Sequence, residues 1–266
     1  MSYAIVVPVY RTWLSPLEQL CLLRLRHFFR ADVYLAAPQG LCLDAYLSLW
    51  PELQVKNFDP AYFASVKTYN KLMLDPRFYE SFATRYEWML IHQLDAFLFH
   101  GDLESFCAMP FDYFGAPWVP GQWVHPQINK GYLLKLFGTQ VSVGNGGLSL
   151  RRLAPTIALL TTESRSAAGW AVNEDAFFGY WGLRSRVFRS CPLETAARFS
   201  FESHPDILYE MTGQNVPFGC HGLPKYHQAF YAKLMRPLLA QMRELEPDLI
   251  DASMSELLGS FKMDIA

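Results

Sequence analysis

The sequence predicts an α/β domain with a mainly parallel central sheet, flanking helices and a smaller mixed or antiparallel second half. Three observations carry that prediction. Strand-like and helix-like segments alternate from residue 3 onward. The run from Tyr86 to Phe99 is apolar with almost no charge, as a strand buried on both faces requires. Four short polar islands, beginning with Asp95 inside that run, stand where strands or turns should end, which is where open α/β sheets present ligand groups.

In chain order, Tyr3 to Tyr10 is a β-branched apolar run broken by Pro8, a first buried strand ending in the loop at Arg11-Thr12. Leu17, Leu20, Cys21, Leu23, Leu25 and Phe28 then repeat at helical spacing behind an Ser15 N-cap and Pro16 in the first helical position. Val33 to Ala37 is a second strand closed by Pro38-Gln39-Gly40. Strand, helix, strand makes a right-handed βαβ unit. A helix at about 42–49, a strand at about 53–58, a helix over 61–74 and a short helix after Asp75-Pro76 continue the pattern. Residues 119–130 show no period and contain Pro120, Gly121, Trp123, His125 and Pro126, so a long binding loop or lid is expected there.

Composition narrows the function. Of the 266 residues 51% are hydrophobic and 18% charged, which excludes disorder, and a net charge of -2 offers no general attraction to nucleic acid. No apolar run is long enough to span a bilayer and no signal peptide is apparent at the start, so the expected location is cytoplasmic. Cys21, Cys42, Cys107, Cys191 and Cys220 are scattered without paired spacing and read as reduced packing residues.

Each island has an ordinary explanation beside its functional one. Asp95 could be a turn former or cap, but a carboxylate in a buried strand equally marks a site. Val143 to Arg152 holds Gly144, Asn145, Gly146 and Gly147 between two strand-like runs, a tight glycine-rich hairpin with positive φ available, yet without a dinucleotide or P-loop pattern. Asn173-Glu174-Asp175 opens an aromatic helix, where acidic residues suit the helix dipole. In the catalytic alternative one carboxylate, Asp175, takes a proton from an incoming hydroxyl. His221, in Pro217 to Gly222, can offer an imidazole to a metal or phosphate. Lys67 and Lys71, four apart, share one helix side and could be a solvated face or a phosphate contact.

In this order, QLDAFLF, GNGGLSLR, NEDAFF and PFGCHG resemble the GT-A glycosyltransferases. They resemble more closely a bacterial glycosyltransferase-like family found in clusters that make surface polysaccharide such as O-antigen. The resemblance covers about residues 3–223. It implies a GT-A-like single domain with a Rossmann-like sheet over 1–225, leaving 226–266 as a helical extension packed on the domain or a partner. Asp95 takes the place of a metal-binding carboxylate and Gln93 replaces the other, which weakens Mn²⁺ or Mg²⁺ binding. His221 stands for the late metal-binding histidine. Pro8, Val9, Tyr10, Arg11, Lys67 and Lys71, with Gln93 and Asp95, belong to the donor side. Asn145, Gly146 and Gly147 lie beneath the sugars. Asp175, with Glu174 beside it, matches the base of inverting members. Trp118, Trp123 and Tyr113 suit stacking against acceptor sugars.

The implied partners are a nucleotide-sugar donor, such as a UDP-sugar, and a glycan or lipid-linked acceptor. A sugar-phosphate nucleotidyltransferase is the rival enzyme, but its glycine-rich first loop is missing from Pro8 to Trp13. A non-catalytic carbohydrate-binding scaffold is the other, favoured by Gln93. In the tail, Phe230, Leu234, Leu238, Leu239, Met242 and Leu245 form an apolar helical face beside Lys233, Arg236 and Arg243, with Pro237 within it. Packing on the domain, on a second copy or on a neighbouring domain is favoured over contact with a peripheral membrane surface or a neighbouring glycosyltransferase.

Overall fold

The computed structural model describes residues 1–128, 130–170, 172–240 and 246–259. The first half alternates β1 (Tyr3–Pro8), α1 (Pro16–Phe28), β2 (Val33–Pro38), α2 (Asp44–Leu49), β3 (Gln54–Phe58), α3 (Val66–Met73), α4 (Pro76–Ala83) and β4 (Trp88–His92). The second half runs through β5 (Phe97–Leu98), α5 (Glu104–Cys107), β6 (Tyr113–Phe114), β7 (Pro117–Val124), α6 (Tyr132–Phe137), β8 (Thr139–Val143), β9 (Leu148–Arg152), α7 (Leu153–Thr162), α8 (Ser164–Ala168) and α9 (Glu174–Gly182). It closes with α10 (Leu193–Phe199), β10 (Ser200–Phe201), α11 (Pro205–Met211), β11 (Gly219–Cys220), α12 (Gln228–Leu239) and α13 (Pro247–Gly259).

Among these residues the main sheet has the order β3-β2-β1-β4-β9-β6. β3, β2, β1 and β4 run parallel, whereas β9 is antiparallel to both β4 and β6. The predicted α/β class and mainly parallel first half are therefore present. β1 and β4 are adjacent although the chain visits β2 and β3 between them, so the strand order reverses there and a crevice opens beyond Pro8 and His92. Two smaller sheets, β10-β11-β5 and the ribbon β7-β8, stand apart.

Local chemistry sets the helix starts. Ser15 accepts from the Glu18 amide while Glu18 accepts from the Ser15 amide, a capping box that begins α1 at Pro16. α1 is apolar on two sides because it separates two cores. Leu22 and Leu25 face the main sheet; Leu17, Leu20 and Cys21 pack with β5, β11 and the C-terminal helices. Arg24, 6% exposed, donates to the Leu98 and Phe99 carbonyls and so ties β5 to α1.

Three expectations change. The helix over 61–74 divides into a 3₁₀ turn at Pro60–Phe63 and α3, because Ser65 caps a new start. Residues 119–130 do not form one long loop: up to Val124 they belong to β7, whose amides and carbonyls pair with β8. Asp95 lies three residues past β4 and two before β5 of a different sheet, at the predicted point where one short strand gives way to another. The glycine segment is not a hairpin within one sheet but the link from the ribbon, at β8, to the main sheet, at β9. In the tail, Tyr231, Ala232, Met235 and Leu239 of α12 and Ile250 and Leu257 of α13 are buried against the second core, which makes Leu239 inward-facing. Met242, Arg243 and Leu245 lie outside the described residues.

Candidate functional site

A cavity of about 830 Å³ lies at the crevice beyond β1 and β4. Its floor is the link between strand ends: the Gln93 amide donates to the Gly147 carbonyl at 2.8 Å, fastening the end of β4 to the glycine segment. That segment is fixed in turn by its own side chains. Asn145 adopts φ of +61°, its Oδ1 accepts from the Gly147 amide at 3.1 Å, and the Tyr113 hydroxyl donates to the Gly144 and Asn145 carbonyls. The left-handed residue is thus Asn145 rather than a glycine. The glycines serve close approach instead: a Cβ would lie 1.9 Å from Glu174 Oε1 at Gly146 and 2.1 Å from His221 Nε2 at Gly147.

Asp95, His221 and Asp175 all line this cavity, with Gln93, Glu202 and Lys225. His221 Nε2 stands 3.1 Å from Asp95 Oδ1 and 3.0 Å from Gln93 Oε1, and its Nδ1 is 3.2 Å from Glu202 Oε1. Lys225 Nζ is 4.0 Å from Asp95 Oδ2. Burial opposes charge on His221, but Asp95 and Glu202 outweigh it and push the imidazole up to about 10. Burial also works against Asp95 as an anion, yet His221 and Lys225 hold its carboxyl well below the usual range. Asp175 behaves in the opposite way. Burial first, and then the neighbouring Glu174 charge, push it up to about 7, although it accepts a hydrogen bond from the Ala176 amide at 2.7 Å.

Glu174 is placed by a different partner. Its Oε1 accepts from Arg151 Nη2 at 3.2 Å, and Arg151 is fully buried, donating also to Ser149 and Tyr79. Glu174 therefore braces the glycine segment, and Asp175 is the carboxylate of the pair that forms no ion pair among the described residues.

Asp95, His221 and Gln93 are the side chains that could contribute to holding a divalent cation. For an ion with bonds of about 2.1 Å, adjacent octahedral corners lie about 3.0 Å apart, which is the spacing of His221 Nε2 from the Asp95 and Gln93 oxygens. Glu202 at Nδ1 would fix the tautomer that leaves Nε2 for the metal, the usual carboxylate support of a ligating histidine. A metal would displace the imidazole proton. Among the described residues no three His, Cys, Asp or Glu side chains form a complete metal cluster, so a cation would take its remaining ligands from Gln93, water or substrate oxygens.

A second hollow of about 360 Å³ adjoins the first. Trp118, Gln122, Val172 and Ala176 line it, and it shares Asn173, Asp175, Glu202 and Tyr226 with the larger cavity. Asp175 thus stands at the boundary of two compartments.

The structure brings Pro8, Tyr10, Arg11, Gln93, Asp95, Asn145, Gly146, Gly147, Glu174, Asp175 and His221 into the large cavity. Val9 is buried in the core and does not line it. Lys67 and Lys71 lie on α3, but its cavity-lining residues are Val66, Tyr69 and Asn70. Trp118 is only 6% exposed, its ring beneath Gly144, though it borders the second hollow; Trp123 is exposed and lines neither. Tyr113 is a core residue stacked on Phe178 and cannot serve as a sugar platform. His221 is buried and ion-paired rather than a free loop residue. Sequence reading missed Glu202, Lys225, Tyr226 and Arg151. Lys225, four residues after His221, and Arg151, a charged residue directly after the buried Leu148-Ser149-Leu150 of β9, were the detectable signals.

The family model described as "Protein of unknown function (DUF5672)" matches residues 52–221, more than half of the chain. The chain belongs to this family. The DUF5672 segment holds Gln93, Asp95, the glycine segment, Asp175, Glu202 and His221, whereas β1 and Lys225 fall outside it. No curated protein matches the chain. Among solved structures, the galactosyltransferase LgtC in complex with donor and acceptor sugar analogs is similar at 12% identity and a TM-score of 0.52, covering 97% of this chain and 99% of that one. The bifunctional glycosyltransferase WbbM in its apo form is similar at 10% identity and a TM-score of 0.52, covering 88% of this chain and 49% of that one. Mouse xyloside xylosyltransferase 1 matches at 12% identity and a TM-score of 0.48, over 84% and 98%. The fold of this DUF5672 protein is that of the GT-A glycosyltransferases.

Proposed function

We propose that the protein is a glycosyltransferase. It moves a sugar from a nucleoside-diphosphate donor, a UDP-sugar, to a hydroxyl of a glycan or lipid-linked acceptor, as in the assembly of bacterial surface polysaccharide. One observation carries this reading: Asp95, Asp175 and His221, separated by up to 126 positions in the sequence, converge on one cavity at the reversal of strand order. About 830 Å³ is room for a nucleotide-sugar.

In this reading the donor lies with its nucleotide toward Pro8, Tyr10 and Arg11 and its diphosphate toward Asp95, His221 and Lys225. Asp95 and His221, with the Gln93 amide oxygen, would hold Mn²⁺ or Mg²⁺, and an imidazole in the set favours Mn²⁺. When bound, the cation supplies positive charge to the diphosphate. Lys225 supplies one as well, from the cavity rim. The acceptor occupies the smaller hollow and brings its hydroxyl to Asp175. Its oxygen forms the new bond to the anomeric carbon as the bond to the diphosphate oxygen breaks, and Asp175 accepts the hydroxyl proton. A base with pKa about 7 is matched to that task. Attack from the far side inverts the anomeric configuration. Glu174 acts through its ion pair with Arg151, positioning the helix start rather than touching substrate.

The test is incubation with UDP-sugars and Mn²⁺, following donor hydrolysis in the absence of acceptor. Release of the nucleoside diphosphate supports sugar transfer. Release of pyrophosphate from a sugar phosphate and a nucleoside triphosphate would move the protein to the nucleotidyltransferases, and no calorimetric binding of any UDP-sugar would leave a carbohydrate-binding scaffold.

A further inference from the structure

The ribbon β7-β8 carries an apolar surface that neither the cavity nor the core uses. Between its strands, α6 has no buried residue: Tyr132 is 76% exposed, Leu133 55%, Leu136 57% and Phe137 60%. At about 100° per residue these four side chains occupy one continuous arc of about 140°, with the half-buried Leu134 turned away from it. Trp123 is exposed at the same end of the ribbon, one register pair from the strand end that α6 leads into. Scattered exposed apolar residues are ordinary, but a full helical face of them is not.

Charge identifies what covers it. Between Asp112 and Glu163 the sequence contains no Asp or Glu, although the chain as a whole has 25 acidic residues and a net charge of -2. Lys135 lies on α6 about 60° from Tyr132 at the edge of the arc, Lys130 precedes the helix by two residues, and both are exposed. Aromatic and aliphatic side chains with lysines and without carboxylates match the headgroup layer of an anionic bilayer. The basic C-terminal α12 does not compete for this role, since Tyr231, Ala232, Met235 and Leu239 are committed to the second core.

We propose that α6, with Trp123, Lys130 and Lys135, docks the protein on an anionic lipid surface. The helix inserts Leu133, Leu136 and Phe137 at the level of the acyl boundary, and Tyr132 and Trp123 sit at the headgroups. β7 joins this tip to the smaller hollow, because Trp118 and Gln122 of the same strand line it. A lipid-carried substrate held in the membrane is thereby kept close to that compartment. The docking itself does not depend on the glycosyltransferase reading and is tested without any sugar.

Flotation with vesicles of phosphatidylcholine alone, and of phosphatidylcholine with roughly one-third phosphatidylglycerol, measures it. The wild-type protein is expected to float with the anionic vesicles, less so at high salt. Leu133→Glu with Phe137→Glu should lower the partition coefficient about tenfold or more, because charged side chains do not enter the acyl boundary. Lys135→Glu should remove the preference for anionic lipid. Val187→Glu, an exposed apolar residue remote in sequence from the ribbon, should change neither. All of these sites are exposed, and thermal melts check that the variants fold. Absence of flotation, or flotation unchanged by the Leu133→Glu and Phe137→Glu pair, overturns the proposal. A wild-type dimer that this pair dissociates, without lipid binding, would also overturn it and assign the face to a second copy of the chain.

Discussion

Asp175→Asn tests the proposed base through stability as well as activity. The Asp175 carboxyl has an ordinary value of 3.8 and is held at about 7 in the fold, by burial and by Glu174. An acid that binds its proton more tightly folded than unfolded makes the fold lose stability as pH rises from about 4 to 7. Three units correspond to about 4 kcal/mol at 1.36 kcal/mol each, but the carboxyl is half-buried and open to the cavity, so solvent screening reduces this to about 2 kcal/mol. Asn cannot ionise, and its Oδ1 can still accept from the Ala176 amide. The variant is therefore expected to be about 2 kcal/mol more stable than wild type at pH 8, a rise of about 5 °C in Tm, with the difference gone by about pH 4. Calorimetric melts of both proteins across this range read the effect. Transfer should fall by a factor of about 10² to 10⁴, the usual contribution of a general base. A variant equally destabilised at pH 8 and pH 4 would show that no buried anion is being held there, and unchanged turnover would remove Asp175 from the base role.

Three further outcomes follow from neighbouring contacts. Glu174→Gln removes a charge that raises Asp175, so the acidic limb of the pH–rate profile should move down by about one unit, while the unpaired buried Arg151 should cost about 3 kcal/mol in denaturant unfolding. Gly147→Ala places a Cβ 2.1 Å from His221 Nε2; calorimetry should find Mn²⁺-dependent UDP binding lost, and retained binding would mean that the imidazole is not part of that site. Arg24→Met leaves the buried Leu98 and Phe99 carbonyls without their donor, and urea unfolding should record a loss of about 2 kcal/mol with donor binding retained.

The parallel half of the fold was legible because its signals are local. Apolar runs, Ser15 with Glu18, and the Pro-Gly turn after β2 are determined by neighbours within a few residues, and they specify strands and helices directly. Asp95 was conspicuous for the same reason, as a charge inside an apolar segment. Residues 119–124 were misread because β7 itself carries Pro120 and Gly121 and its buried positions do not alternate, so its strand is defined only by pairing with β8. Lys67 and Lys71 shared a helix side, but which side faces the cavity depends on how α3 packs, and that is a tertiary quantity.

By itself the sequence determined an α/β chain, its parallel half and the four islands that hold its unusual polar residues. Tertiary structure alone decided that Glu174 pairs with Arg151 and leaves Asp175 for the cavity, that His221 lies between Asp95 and Glu202, and that Glu202 and Lys225 belong with them. The reason is electrostatic. A side chain's charge and reactivity depend on burial and on charges within a few ångströms, and those neighbours come from strand ends and loops up to 130 positions apart, from Asp95 to Lys225.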